Sequence, residues 1–287
     1  MKNMILAALL FCLCGMLGAE QWKYSADASF SLAQNFYSEK WAGTELSNIN
    51  WIANSNSSAE KQLSKIMHDR TTLKLAFGQT HTQKTDALGD KYWEKAQKTT
   101  DKIDLESLLR FTLQFYVDPF AAARMESQFM DMSDPAKTRM VNPLKLTETA
   151  GIARTFIKDD YQELNSRLGA AFRQNIDRDV LVGTERETQT TNDGGLEFIT
   201  EYSKKFMPKD VTYKSKLLVY EALFNSKSKD LNDDWKSPDV KWENTLSTKL
   251  WSVITMSLIF DVIYEREQVK EIQYKETLAL GVSYQLF

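Results

Sequence analysis

The stretch IQYKETLALGVSYQLF, Ile272 to Phe287, ends the chain and decides its fold. Ile272, Tyr274, Leu278, Leu280, Val282, Tyr284 and Leu286 share one parity, and Gln273, Lys275, Thr277, Ala279, Gly281, Ser283 and Gln285 share the other. Strand side chains point to opposite faces with period two. The pattern is therefore a β-strand with one apolar side. Strands of soluble domains usually run to about 5–6 residues, whereas a strand crossing a bilayer needs about 9–11. The length and the one-sided grease predict the closing strand of a membrane barrel, which the assembly machinery of an outer membrane would engage at Ile272 to Phe287.

The opposite end of the chain is of another kind. Lys2 gives a basic start, Met4 to Leu17 is apolar, and Leu17-Gly18-Ala19 precedes Glu20. This is the form of a Sec signal peptide cleaved after Ala19, with bulky Leu17 an imperfect fit at the cleavage site. The apolar run is too short for a membrane anchor. The division expected is residues 1–19 as leader and 20–287 as one outer-membrane barrel domain. Both cysteines, Cys12 and Cys14, fall in the leader, so the mature chain would hold neither disulfide nor thiolate site. Leu13 before Cys14 argues against a lipoprotein. The net charge of −3 carries no basic stripe of the kind a nucleic-acid partner would meet.

Working back from the last strand, eleven more alternating segments emerge. The first is Trp22 to Ala33; a weaker second spans Leu46 to Ser57; the third spans His68 to Thr82 and the fourth Thr99 to Gln114. A fifth sets Ala121, Ala123, Met125 and Phe129 against Arg124, Glu126 and Gln128. The sixth, Pro143 to Phe156, alternates poorly, because Glu148 and Arg154 share parity with Leu146 and Ile152; a bulge would explain it. The seventh sets Leu164, Leu168, Ala170 and Phe172 against Glu163, Arg167 and Arg173, and a charged loop, Asn175 to Thr188, follows it. The eighth is Gln189 to Lys205. The ninth, Val211 to Phe224, changes from Lys214 and Lys216 to Leu218, Tyr220, Ala222 and Phe224 in one parity, which suggests a second bulge. Val240 to Leu250 and Ile254 to Tyr264 complete the set.

The expected fold is all-β: a transmembrane, antiparallel, up-and-down β-barrel of about twelve strands. An even count, with short turns alternating with longer loops, is the habit of bacterial outer-membrane barrels. All five prolines fall in loops, turns or strand starts. Tyr24, Tyr202, Tyr264, Tyr274, Tyr284 and Trp242 suit interfacial girdles. A soluble periplasmic β-sandwich alternates too, but not with a dozen strands of this length.

Several pieces of the chain resemble one family. They are Asn142 to Ile152, Leu168 to Phe172, Asn192 to Phe198, Tyr213 to Leu217, Val240 to Leu246 and Leu280 to Tyr284. These are similar to an uncharacterised outer-membrane barrel family, a domain of unknown function common in Bacteroidetes and related bacteria. The resemblance implies an outer-membrane location and transfers no catalytic or binding residue.

The candidate functional surface is the inward face. By parity it carries Lys102, Asp104, Glu106, Arg110, Arg124, Glu126, Arg167, Arg173, Glu197, Glu201, Lys214, Lys216, Lys241, Glu243 and Asp261. Two readings stand open: opposite charges pairing across the wall, or a filter that selects solutes by charge. A hydrolase of the outer-membrane phospholipase kind would need a serine beside His68 or His81. No G-x-S-x-G elbow is present, no histidine pair has metal-ligand spacing, and no cofactor is expected. The sequence thus predicts a barrel in outer-membrane lipid with a polar lumen, acting as a passive pore or as a transport or structural accessory. It does not identify a solute.

Overall fold

Twelve strands pair antiparallel in chain order and the last pairs with the first, closing a barrel. The computed structural model describes residues 21–38, 46–113, 115–207, 210–229 and 233–285. The expected leader with Cys12 and Cys14, Pro208, Leu286 and Phe287 lie outside these residues. The barrel strands are β1 Lys23–Asn35, β2 Asn48–Gln62, β3 Met67–Thr85 and β4 Gln97–Phe111. They continue with β5 Asp118–Ser127, β6 Leu144–Lys158, β7 Gln162–Val182 and β8 Glu185–Phe206. β9 Val211–Asn225, β10 Asp239–Lys249, β11 Ile254–Glu265 and β12 Val269–Gln285 finish the circuit. The closing seam runs from Asp27 opposite Gln285 to Ser31 opposite Gly281. No α-helix occurs among the described residues.

Connections at one end, 63–66, 112–117, 159–161, 207–210 and 250–253, are all short; we call this the turn end. At the other, the loop end, 36–47, 86–96, 128–143 and 226–238 are long. The register carries one exterior face round the barrel. Ala26, Ser57, Leu73, Leu105 and Met125 stand in one row of cross-strand partners, and Leu246, Leu258 and Leu278 in another. Leu168, Phe198, Leu258, Leu278, Leu280 and Val282 lie exposed on this face, which is the reverse of a soluble protein's surface. Aromatic rings gather toward its two ends. Phe30, Trp51, Phe77 and Phe129 form a row of ring contacts toward the loop end, stacked, tilted and edge-to-face in turn, with centroids 5.8–6.2 Å apart. Tyr202 and Tyr213 pair toward the turn end at 6.2 Å. An exterior apolar band between aromatic girdles is the form of a membrane-spanning barrel.

Several boundaries differ from expectation, each for a visible reason. β2 runs on to Gln62, because its polar second half pairs rung by rung with β3 from Ser55–Leu75 to Gln62–His68. The connection from β2 to β3 is therefore a short turn, 63–66. Asn175 to Thr188 is not a loop: β7 and β8 continue as a hairpin that turns at Gly183, whose φ of 64° suits glycine. That hairpin is braced by segment 128–143, which carries its own ribbon, Met130–Asp131 against Arg139–Met140. Arg139 donates to Asp131 at 2.6 Å and to Asp177 at 2.8 Å, and the Asn142 amide reaches the same two carboxylates at 3.0 and 2.7 Å. Burial alone would push the Asp131 carboxyl up, but hydrogen bonds from Ser133 and Asn142, with Arg139 beside it, hold it below its ordinary value.

The irregular strands resolve as well. In β6 the register slips only near the turn end, where the partner of Leu164 is Ile157 and that of Asn165 is Thr155. Glu148 and Arg154 therefore stay on the exterior. Arg154 stacks on the Tyr116 ring, 3.4 Å from its centroid, and lies 5.1 Å from that of Phe156, which suits an interfacial cation. In β9 the slip comes at Leu223, beyond Tyr220, so Leu218 and Tyr220 remain inside. Glu276 of β12 shares the exterior parity of the stretch that decides the fold.

Candidate functional site: the barrel interior

Interior rungs follow from the register. One runs Thr72, Glu106, Arg124, Thr147, Arg173, Asp193 across β3 to β8. Another runs Glu201, Lys216, Glu243, Asp261, Lys275 across β8 to β12. Every inward charge expected from parity stands on this face. What parity does not specify is the partner across the lumen, and here opposite walls meet.

Arg124 on β5 donates to Glu197 on β8 and lies 3.5 Å from Glu106 and 3.4 Å from Glu126. Arg167 on β7 reaches Glu106 on β4 at 2.6 Å. Lys216 on β9 is 3.9 Å from Glu106 and 3.6 Å from Glu201. Lys241 on β10 meets Glu126 at 3.2 Å, and Lys102 on β4 meets Glu243 at 2.7 Å and Asp104 at 3.5 Å. Thr149 donates its hydroxyl to Glu197 at 3.0 Å. These contacts join β4 and β5 to β7, β8, β9 and β10 in one chain of alternating sign, so no ring of one sign forms. Arg110 closes on Asp118 at 2.6 Å toward the turn end. Lys214, of the same parity, is exposed near that end.

Toward the loop end Arg173 is held separately. Its guanidinium lies over the Tyr220 ring, 3.1 Å from the centroid, and pairs with Asp193 at 3.3 Å and Asp239 at 2.7 Å. The Tyr220 hydroxyl donates to Asp193.

The wall makes room for these long side chains with small residues. Gly151 on β6 and Gly169 on β7 are cross-strand partners, flanked on the same face by Ala153 and Ala171. A Cβ on Gly151 would fall 2.1 Å from the Leu168 carbonyl oxygen, and one on Gly169 2.6 Å from that of Ala150. Only glycine fits this close approach. Across from them Phe120 and Arg124 project from β5, both buried.

The interior is lopsided. From β4 to β9 the inward residues are buried: Asp104, Glu106, Phe120, Arg124, Thr147, Thr149, Arg167, Arg173, Glu197, Ile199 and Tyr220 are all below 9% exposed. Along β12, β1 and β2 they are not. Asp27, Asn50 and Asn56 point inward and are exposed, and Ser29, Ser31, Asn54, Thr277 and Ser283 are half-buried. Inside a closed ring, exposure of an inward residue means water in the lumen. Most charges lie on the filled side; short hydroxyl and amide side chains line the open one, with Asp27 and Lys275 among them.

Asp118, Asp193, Asp239, Thr147, Thr149 and Tyr220 also belong to the network, beyond the charges that parity singles out. The alternation of Lys145, Thr147 and Thr149 on β6 is a signal for two of them. Asp118 stood hidden in what reads as a turn, and Tyr220 in what reads as apolar wall. His68 and His81 occupy opposite faces of β3, His68 level with inward Arg110 and His81 level with Ile49 outside. They do not form one catalytic site.

A family model described as a protein of unknown function (DUF3078) matches residues 32–132, from the end of β1 to just past β5. No curated protein matches the chain. Among solved structures, an outer membrane channel from Pseudomonas putida F1 is similar over 94% of this chain and 97% of its own, at 13% identity and TM-score 0.47. The translocator domain of the autotransporter NalP from Neisseria meningitidis aligns over 99% and 94%, at 8% identity and TM-score 0.37. OprB from Pseudomonas putida aligns over 99% and 96%, at 7% identity and TM-score 0.28.

Proposed function

We propose that this chain is an outer-membrane barrel acting as a passive pore for small solutes. Residues 1–19 would direct Sec export, and the assembly machinery would recognise the strand Ile272 to Phe287. The turn end would then face the periplasm and the long loops the outside, as in bacterial barrels. One observation carries the pore reading: Asp27, Asn50 and Asn56 face the lumen of a closed ring and are exposed to water there. The exterior apolar band supports the membrane location.

The charged network sets how such a pore selects. Arg167 and Arg173 have carboxylate partners, so they present no uncompensated positive field to a passing ion. In planar bilayers the refolded protein is expected to conduct. Removing the arginines together with a carboxylate partner of each, Arg167→Ala and Arg173→Ala with Glu106→Gln and Asp193→Asn, keeps the lumen charge balanced and is expected to leave the reversal potential under a salt gradient unchanged. A shift would return these arginines to a filter. A wild type with no conductance would sink the pore in favour of a structural or transport accessory, a reading favoured by the filled β4–β9 side.

A further inference from the structure

The open sector differs from the rest of the lumen in chemistry as well as in space. Going round from β12 through β1 to β2, the inward face carries the hydroxyls of Thr277 and Ser283, then those of Ser29 and Ser31, then the amides of Asn50 and Asn54, spaced by Ala279, Gly281, Ala33 and Ile52. Neighbouring groups lie close enough to act in concert. The Asn54 amide stands 3.5 Å from the Ser29 hydroxyl, and the Ser283 hydroxyl 2.5 Å from that of Thr255 on β11. Each such group both donates and accepts, and none has the reach of Lys or Arg to cross the lumen. The one carboxylate on β1 is Asp27.

We infer that the solutes this barrel passes are uncharged and hydroxyl-rich, small polyols and sugars, and that they travel along the β12–β1–β2 side. The inference rests on the pore reading above. A polyol leaving water exchanges its hydrogen bonds one at a time for hydroxyl and amide partners, weakly and at many sites, which is the condition for passage rather than capture. An anion on the same path finds little counter-charge: Arg124, Arg167 and Lys102 opposite are paired to carboxylates, and the Lys275 ammonium of β12 is turned to the Thr99 carbonyl and the Thr100 hydroxyl.

The test uses the full chain carrying Cys12→Ser and Cys14→Ser, isolated from membranes and reconstituted in liposomes. Osmotic swelling is followed with arabinose and with its acid, arabinonate. Single cysteines are placed at Ser29→Cys, Asn54→Cys and, as an exposed loop control, Leu88→Cys, and treated with a sulfonated methanethiosulfonate. Arabinose is expected to enter severalfold faster than arabinonate. Labelling at Ser29→Cys and Asn54→Cys should slow arabinose severalfold, and labelling at Leu88→Cys should leave it unchanged. Equal entry of the two solutes would overturn the inference. So would cysteines at 29 and 54 that the reagent does not reach, or that are labelled without effect, in a protein that still conducts. A wild type that neither conducts nor swells would overturn the pore reading itself.

Discussion

Arg124 sits at the centre of the interior network, since it faces Glu197, Glu106 and Glu126 together and is buried. A buried ion network is weak evidence of net stability, because desolvation offsets the attraction, but removing one partner strands the rest. Arg124→Met is expected to cost about 3–5 kcal/mol for that reason. Arg70 and Glu60 pair at 3.1 Å with side chains 42% and 37% exposed, so Arg70→Met should cost only about 0–1 kcal/mol. Urea titrations of the folded band on unheated gels would measure both, and similar losses would contradict the burial of the Arg124 cluster. At this scale the sequence shows the face of each charge but not its partner. Alternation places Arg167 and Glu106 inside; that the two meet, 61 residues apart, depends on the curvature of the closed ring.

Among the strands, legibility follows the apolar mark. β4, β11 and β12 are plain because lipid-facing residues recur at every second place. The far ends of β7 and β8 are missed because Val180, Leu181 and Val182 follow a register slip and do not alternate, while Glu185 to Asn192 is polar on both faces, even though the ladder continues to Val182 opposite Glu185. The second half of β2 is obscured in the same way: Ser55 and Ser57 stand on the exterior where Val or Leu would have announced a strand. Where the mark is clear, a sharp contrast follows. Leu258 lies on the exterior between Leu246 and Leu278, in the middle of β11. Leu258→Arg should destabilise by about 2–4 kcal/mol, the cost of a cation near the bilayer midplane. Ser257 points inward toward the uncrowded side, opposite Ala279, and Ser257→Arg should cost much less. Refolding into lipid vesicles across a urea series reads the difference; equal damage would mean that the faces are exchanged.

For the molecule as a whole, the filled and open sides predict unequal resistance to opening. β7 and β8 are partners from Gln162–Lys204 to Val182–Glu185, and behind them stand buried Arg167, Ile199 and Glu197. The seam is different: β1 and β12 are partners only from Asp27–Gln285 to Ser31–Gly281 among the described residues. Behind it are the short side chains of Ser29, Ser31 and Ser283, half-buried where Arg167, Ile199 and Glu197 are buried. Local opening is cheapest where a ladder is short and few contacts cover it. Both regions share the same lipid, so a difference in amide exchange between them reports pairing and interior water rather than the membrane. Exchange followed by mass spectrometry in vesicles should therefore show peptides from 23–35 and 269–285 opening first and peptides from 162–206 last. Ser29 and Ser283 are Cα partners on the inward face, so Ser29→Cys with Ser283→Cys, once oxidised, should slow exchange at the seam and leave β7–β8 unchanged. Uniform protection around the ring would mean that the lumen is packed on all sides, and the water-lined route beside β1 would then have no room to exist.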